Sequence, residues 1–160
     1  MTMRIGIISD THRFTAAIDK AIPFLQDCDL IVHAGDNVDD GEYIEAMTDI
    51  PVVAVKGNCD FYSDPGNDEE IFTAEDKKIF VCHGHRYGIK YTLVDLYERA
   101  LDLGANIVIF GHSHVPCYEE VKGVIFINPG STSLPRGGSS KGLGILDIEN
   151  GEINYERIKI

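Results

Sequence analysis

Residues 4–12, RIGIISDTH, and residues 106–114, NIVIFGHSH, decide the fold. In each, a short apolar run reads as a buried strand that ends in two candidate metal ligands. These are Asp10 and His12 in the first run and His112 and His114 in the second. Groups two residues apart can face one point when the backbone is extended or turning. Three further apolar runs end in a similar way. LIVHAG (30–35) leads to Asp36, VVAVKG (52–57) leads to Asn58, and KKIFVCHG (77–84) carries His83 at its end. Chemistry in open α/β folds collects where strands end. Five strand ends bearing only carboxylate, imidazole and amide groups therefore point to one shared site.

The segments between these strands set the connections. TAAIDKAIPFLQ (15–26) has helical spacing at Ala17, Ala21, Phe24 and Leu25, with Thr15 placed as N-cap and Pro23 expected to kink or split the helix. GEYIEAMT (41–48) reads as a short helix. LVDLYERALDLG (93–104) is the clearest one, with Leu93, Leu96, Tyr97, Ala100 and Leu103 on one face and Gly104 as its stop. NCDFYSDPGNDEE (58–70) reads as an exposed loop, its Asp68-Glu69-Glu70 run solvated. Alternating strands and helices predict parallel pairing through crossover helices. After residue 114 the pattern turns to all-β, with hairpin turns at Val121-Lys122-Gly123 and Asn150-Gly151. The expectation is one domain over residues 1–160. It would have a βα half and a mostly antiparallel half, as two packed sheets with helices outside.

The chain has 160 residues, 44% of them apolar and 25% charged, enough to bury a sizeable core. Its net charge is −12, from 26 acidic and 14 basic side chains, and no Lys/Arg cluster offsets it. A nucleic-acid duplex needs such a patch. A small anionic substrate is therefore favoured, and a nuclease is disfavoured. Cys28, Cys59, Cys82 and Cys117 include no CxxC pair, and three of them lie in or beside apolar runs, which suits reduced thiols in a cytosol. The opening MTMRIGIISD lacks the marks of a signal peptide. No apolar stretch approaches the ~20 residues needed to cross a bilayer. A soluble, cytoplasmic protein with no membrane partner is expected.

Two closely spaced divalent ions need a bridging carboxylate, flanking imidazoles and oxygens, and open positions for water and substrate. Asp10, His12, Asp36, Asn58, His83, His112 and His114 supply that inventory, and Gly35 and Gly57 permit close backbone approach beside two of them. The ordered motifs D-x-H, G-D, G-N-x-D, H and G-H-x-H resemble those of the calcineurin-like metallophosphoesterase superfamily. The likeness is greatest to its small single-domain bacterial and archaeal phosphodiesterases. The resemblance runs by motif from Asp10 to His114 and implies an α/β (α+β) fold: a four-layer αββα sandwich of two mixed β-sheets flanked by helices. It also implies that Asp10, His12, Asp36 and His114 hold one ion, and that Asp36, Asn58, His83 and His112 hold a second. Asp36 would bridge. The implied cofactors are two divalent ions, Mn²⁺ first, with Ni²⁺, Co²⁺, Zn²⁺ or Fe as alternatives. The implied chemistry is hydrolysis of small phosphodiesters by a hydroxide that bridges the ions.

One position departs from the wider family. Many members carry a histidine after the Gly-Asn pair, where it helps the leaving group depart, and this chain has Cys59. A thiol is a weak donor with an unperturbed pKa of ~8.5 and a poor stand-in for an imidazolium. Catalytic parts are thus expected of Asp36 and Asn58, with Cys59 in the leaving-group position and Asp60 bracing its loop. His85 and Arg136 are candidate substrate contacts, although His85 also reads as a surface histidine. His33, inside an apolar strand, reads as a bonded core residue. The loop Asn128-Pro129-Gly130-Ser131-Thr132-Ser133 reads as a turn between strands, or as a segment approaching the phosphate or the ligand histidines. Competing functions are a phosphomonoesterase and a non-catalytic, metal-binding protein-interaction scaffold of the same fold. The resemblance also implies a homodimer or homotetramer.

Overall fold

The structure is a computed structural model that describes residues 2–160. Strands β1 (Thr2–Ile8), β2 (Leu30–His33) and β3 (Val52–Ala54) are parallel neighbours, linked through helices α1 (Thr15–Leu25) and α2 (Asp40–Thr48). The last two strands, β9 (Gly142–Glu149) and β10 (Glu152–Lys159), form a hairpin that pairs antiparallel with the other side of β1. The first sheet thus runs β10-β9-β1-β2-β3. The second contains β4 (Glu69–Ala74), β5 (Lys77–Cys82), β6 (Ile107–Ile109), β7 (Cys117–Val121) and β8 (Val124–Asn128), in the order β4-β5-β6-β8-β7. Its inner strands β5, β6 and β8 are parallel, and both edge strands are antiparallel. Helix α3 (Val94–Leu103) makes the crossover from β5 to β6.

Side-chain alternation builds four layers from these elements. In β1, Ile5 and Ile7 join Val32, Val81, Ile107 and Ile109 between the sheets. The neighbouring Ile8 faces outward against Ile18, Ala21, Leu25 and Ile44 of the two helices. On the far side of the second sheet, Phe80, Val108, Phe110 and Phe126 pack on Leu96 and Ala100 of α3. Strands covered on both faces read as unbroken apolar runs, which explains the continuous character of RIGII and NIVIF. Each fully buried Ile in these layers contributes about 1.5–3 kcal/mol by removal from water. Gly6 is required at a close approach, because a Cβ there would lie 2.4 Å from Leu25 Cδ2. Both predicted hairpin turns carry positive φ at both central residues: Lys122 and Gly123 at 47° and 86°, Asn150 and Gly151 at 52° and 81°.

Four expectations need correction. Helix α1 runs unbroken through Pro23, because the proline sits in its final turn, where buried Ile22 and Leu25 hold the chain to the sheet. Thr15 is the first helical residue rather than the cap. The chain arrives from a turn with left-handed His12 and Arg13, and Phe14 precedes the helix with no side-chain cap. The stretch expected as a loop to residue 70 already starts edge strand β4 at Glu69. There Glu69 is paired with Arg99 at 3.2 Å and accepts from Tyr87, so it is not simply solvated. Finally, the antiparallel half is divided: β7 and β8 complete the second sheet, and β9 and β10 complete the first. No helix among the described residues is long and apolar enough to cross a membrane.

Candidate metal centre

The C-terminal ends of β1, β2, β5 and β6 meet at one end of the sandwich, and the loops that leave them carry most of the candidate ligands. Asp10, His12, Asp36 and His114 each offer a ligand atom, all within 4.8 Å of one another. His114 Nε2 lies 3.3 Å from Asp10 Oδ1 and 3.3 Å from His12 Nε2. His83 Nε2 lies 3.3 Å from Asp36 Oδ2 and 3.7 Å from Asp10 Oδ1, while His12 Nε2 is 3.5 Å from Asp36 Oδ2. Asn58 Oδ1 and His112 Nδ1 meet at 3.2 Å. Atoms that each sit about 2.1 Å from one ion in tetrahedral arrangement are about 3.4 Å apart, so this spacing suits ligation.

Hydrogen bonding fixes which atom each residue presents. Asp10 Oδ2 accepts from the Ser9 hydroxyl at 2.7 Å and the His112 N–H at 3.1 Å, which leaves Oδ1 for the cluster. Asp36 Oδ1 accepts from the Cys59 N–H at 2.9 Å, which leaves Oδ2 between His12 and His83. His83 Nδ1 donates to the Ala34 carbonyl at 2.8 Å, and His114 Nδ1 donates to the Leu134 carbonyl at 2.6 Å. Each ring then turns a bare Nε2 lone pair inward when neutral. Asp10 Oδ1 and His83 Nε2 are buried with no hydrogen-bond partner. Lone pairs converging on one point, two of them orphaned, form a donor set that fits a divalent cation.

Without a cation, protons are drawn in. Burial opposes charge on His83, but Asp36 and Asp10 outweigh it and raise its pKa. His114 is likewise raised, chiefly by the Asp10 carboxylate beside it and against its burial. Burial would push Asp10 up, yet His114, His83 and Ser9 hold it below the usual carboxylate range. Asp36 is also held low against burial, by His83 and the Cys59 N–H. His112 is lowered to about 4 by burial, then by His83 and Lys90.

The backbone at this cluster is unusual. Asp10, His12, Asp36, His112 and His114 have φ of 54°, 50°, 62°, 72° and 59°, so five of the eleven non-glycine residues with positive φ among those described are candidate ligands. Such conformations cost about 1 kcal/mol or more apiece and gather at functional sites. Close packing holds them in place. A Cβ on Gly57 would lie 2.2 Å from Asp36 Oδ1, and one on Gly111 would lie 2.7 Å from Asp10 Oδ2.

The remaining candidates fall into place around this cluster. Asp60 accepts from the Val38 and Gly57 N–H groups at 2.9 and 2.8 Å, bracing the loop between Asp36 and Asn58. Cys59 contributes its backbone to Asp36, and its exposed thiol is pushed up to about 11 by desolvation and the Asp36 carboxylate. His85 lies beside His83 and His112, with ring centroids 5.5 and 6.1 Å away, and its pKa is lowered by burial, His83 and Arg86. Arg136 is exposed, and its N–H donates to the His114 carbonyl at 3.1 Å. His33 is a bonded core residue. It accepts from the Gly35 N–H at 3.2 Å, so its Nε2 donates to Thr11 Oγ1 at 2.9 Å, and Thr11 donates to Asp40 at 2.5 Å.

The loop that sequence reasoning left open, as a turn or as a segment near the ligand histidines, lies as a strap over the site. Ser131 Oγ donates to the Asp10 carbonyl at 2.8 Å, and Ser133 Oγ donates to the Asp10 and Thr11 carbonyls at 3.2 and 3.1 Å. Arg157 of β10 donates to the Pro129 carbonyl, Ser140 Oγ and the Ser140 carbonyl, at 2.8, 2.9 and 2.5 Å, which pins both ends of this loop. The serines in NPGSTS were visible, but a supporting carbonyl such as Leu134's leaves no mark in a sequence.

Known proteins resemble this chain in sequence and fold. The chain is 42% identical over 149 residues to the probable metallophosphoesterase YsnB of Bacillus subtilis, covering 92% of this chain and 86% of that one. It is 32% identical to the phosphodiesterase MJ0936 of Methanocaldococcus jannaschii, over 94% of this chain and 96% of that one. A predicted phosphoesterase from Streptococcus pneumoniae superposes with a TM-score of 0.86 at 25% identity, covering 99% and 90% of the two chains. Vps29 from Entamoeba histolytica in complex with Zn²⁺ shares the fold at a TM-score of 0.72 and 22% identity, over 98% of both chains. The family pattern of the calcineurin-like phosphoesterase superfamily domain matches residues 3–151, and with this fold and these relatives the chain belongs to that superfamily.

Proposed function

We propose that this chain is a phosphodiesterase that hydrolyses small phosphodiesters at a two-ion centre. The carrying observation is the inward set of lone pairs around Asp10 Oδ1 and His83 Nε2, buried atoms with no hydrogen-bond partner. Asp10, His12, Asp36 and His114 would hold one ion. Asp36, Asn58, His83 and His112 would hold the other, and Asp36 Oδ2 lies between the two sets. When bound, divalent ions supply a water of lowered pKa and positive charge to neutralise phosphate oxygens. The N/O donor set fits Mn²⁺, our first choice, as well as Ni²⁺, Co²⁺, Zn²⁺ or Fe.

The protein's part is orientation. Ala34 and Leu134 carbonyls fix the imidazoles of His83 and His114, and the N–H groups of Cys59 and His112 aim one oxygen of each carboxylate. Among the described residues two carboxylates, Asp10 and Asp36, belong to the cluster, so a site loaded with two divalent ions would keep net positive charge and attract a phosphate despite the acidic chain. A thiol pushed up to about 11 at Cys59 stays protonated at neutral pH and is a weak donor. That favours esters whose leaving group departs without strong acid help. Ligands drawn from both sheets support residues 1–160 acting as one catalytic unit, and four free thiols suit the cytoplasm.

The test is hydrolysis of bis(p-nitrophenyl) phosphate against p-nitrophenyl phosphate by protein stripped of metal and resupplied with Mn²⁺, Ni²⁺, Co²⁺ or Zn²⁺. Metal-dependent diester cleavage that vanishes in Asp36→Ala is expected. Faster monoester cleavage would make the chain a phosphomonoesterase. Metal binding with no turnover of either ester would leave a metal-binding interaction scaffold.

A further inference from the structure

Beside the metal cluster lies a concave space of about 960 Å³, within the size range of organic-ligand sites. Its walls are the chain from Ile89 into α3 and the segment from Ser113 to Lys122. Both walls grow directly out of ligand-bearing loops. Ser113 stands between His112 and His114, and the site of a Gly84 Cβ, next to His83, is 3.2 Å from Ile89 and 3.6 Å from Phe110, two residues of the lining. The lining is largely apolar and aromatic, with Tyr91, Tyr97 and Phe110 contributing rings. Two of its side chains face solvent to a degree unusual for their type: Tyr91 is 93% exposed and Val94 is 55% exposed. Lys90 also lines the space and gives it a cation.

We propose that this cleft holds an aromatic, nucleobase-sized arm of the diester whose phosphate lies at the metal cluster. The inference rests on the phosphodiesterase reading and narrows its substrate class. A phosphodiester needs room for organic groups next to its reacting centre, and this cleft offers an apolar surface there, with rings for stacking. Lys90 can meet the phosphate charge, while Glu98 and Glu119 of the same lining, set against Lys122, leave the cleft without the excess of cations that additional phosphates would need. The preferred substrate is therefore a single diester with an aromatic arm rather than a longer polyanion. A concave space suits an inserted group, whereas contact between flat faces of two copies does not require one.

The probe is diphenyl phosphate, with dimethyl phosphate reporting the phosphate alone. Both are titrated into Zn²⁺-loaded and metal-free protein and followed by the methyl resonances of Ile89, Val94, Leu101 and Val115. Diphenyl phosphate is expected to move those resonances and to bind on the order of tenfold more tightly than dimethyl phosphate. Val94→Trp, which fills the cleft, and Tyr91→Ala, at an exposed position, should each remove most of that preference and leave dimethyl phosphate unaffected. Equal affinity for the two phosphates, or variants without effect, overturns the inference. Resonances that respond only to protein concentration assign the cleft to a second copy and overturn it as well. Hydrolysis of bis(p-nitrophenyl) phosphate, run in parallel, separates the two readings. Turnover without aryl preference sinks the cleft alone, and aryl preference without turnover under any metal sinks the phosphodiesterase reading alone.

Discussion

The space between the two sheets and the cluster at the ends of their strands are both buried, but they are built in opposite ways. Between the sheets, Ile5, Ile7, Val32, Val81, Ile107 and Ile109 are fully buried in regular strands, and each gains free energy by leaving water. A few residues further along the same strands, Asp10, Asp36, His83 and His114 are buried as well. Three of these four have a left-handed backbone, and two present orphaned polar atoms. The first region supplies stability by apolar burial, and the second sets the attraction of its Asp–His pairs against backbone strain and orphaned polar atoms. The difference shows that the sandwich acts as a rigid frame, able to hold a donor set that would otherwise relax away from one point.

The sharpest break in this contrast comes from Asp36→Ala. It should cut diesterase activity about a thousandfold or more and abolish tight metal binding in calorimetry. Ile109→Ala should do the reverse. It is expected to cost about 2–5 kcal/mol in urea denaturation through the cavity it leaves, with turnover per folded molecule unchanged.

Arg157→Ala tests whether the strap belongs to the site or to the frame. Losing its three bonds to the 129–140 loop should weaken metal affinity by about tenfold or more. Arg4→Ala removes a pairing with Asp147 of the same sheet and with Asp27 of the turn after α1, and should leave metal affinity unaltered, as read by metal titration.

A pH series sharpens the same comparison. His83 and His114 are raised in the metal-free protein, so their contribution is complete below the ordinary histidine value of 6.5 and is lost as pH rises through the folded values. Asp10 and Asp36 are depressed, so theirs is present above the ordinary carboxylate value of 3.8 and is lost as pH falls through the folded values. Metal-free protein should therefore gain most from these pairs between those two ordinary values. Metal must displace protons from the same imidazoles, so affinity should fall with decreasing pH from above 6.5. Denaturation with chelator, set beside metal titration at each pH, measures both limbs. The smallest effect is expected of Cys59→Ser, under about threefold in kcat, because this residue serves Asp36 through its backbone N–H.

Much of the site was legible because ligand chemistry is local. Asp10 with His12 and His112 with His114 declare themselves by residue type and spacing at the ends of apolar runs, and the glycines before Asp36 and Asn58 mark the close approaches. The hairpins at Lys122-Gly123 and Asn150-Gly151 were readable for the same reason, since a two-residue turn is encoded by its own residues. Strand β4 was hidden, because Glu69 and Glu70 look like a solvated run until Arg99 and Tyr87 come to meet Glu69 from elsewhere in the chain. The loop over Asp10 and His114 was readable only as one of two alternatives, since its contacts run largely through carbonyls and are anchored by Arg157, which lies more than a hundred residues from Asp10.

The sequence by itself determined the inner strands, their apolar character and the identity of the seven candidate ligands. Only the tertiary structure decided that β9 returns to β1, which atom of each ligand faces inward, and which cleft adjoins the cluster. The reason is physical. An apolar run fixes that a strand will be buried, but its partner is chosen by the packing of the whole sandwich. A ligand's aim is likewise set by hydrogen bonds from residues that only folding brings near.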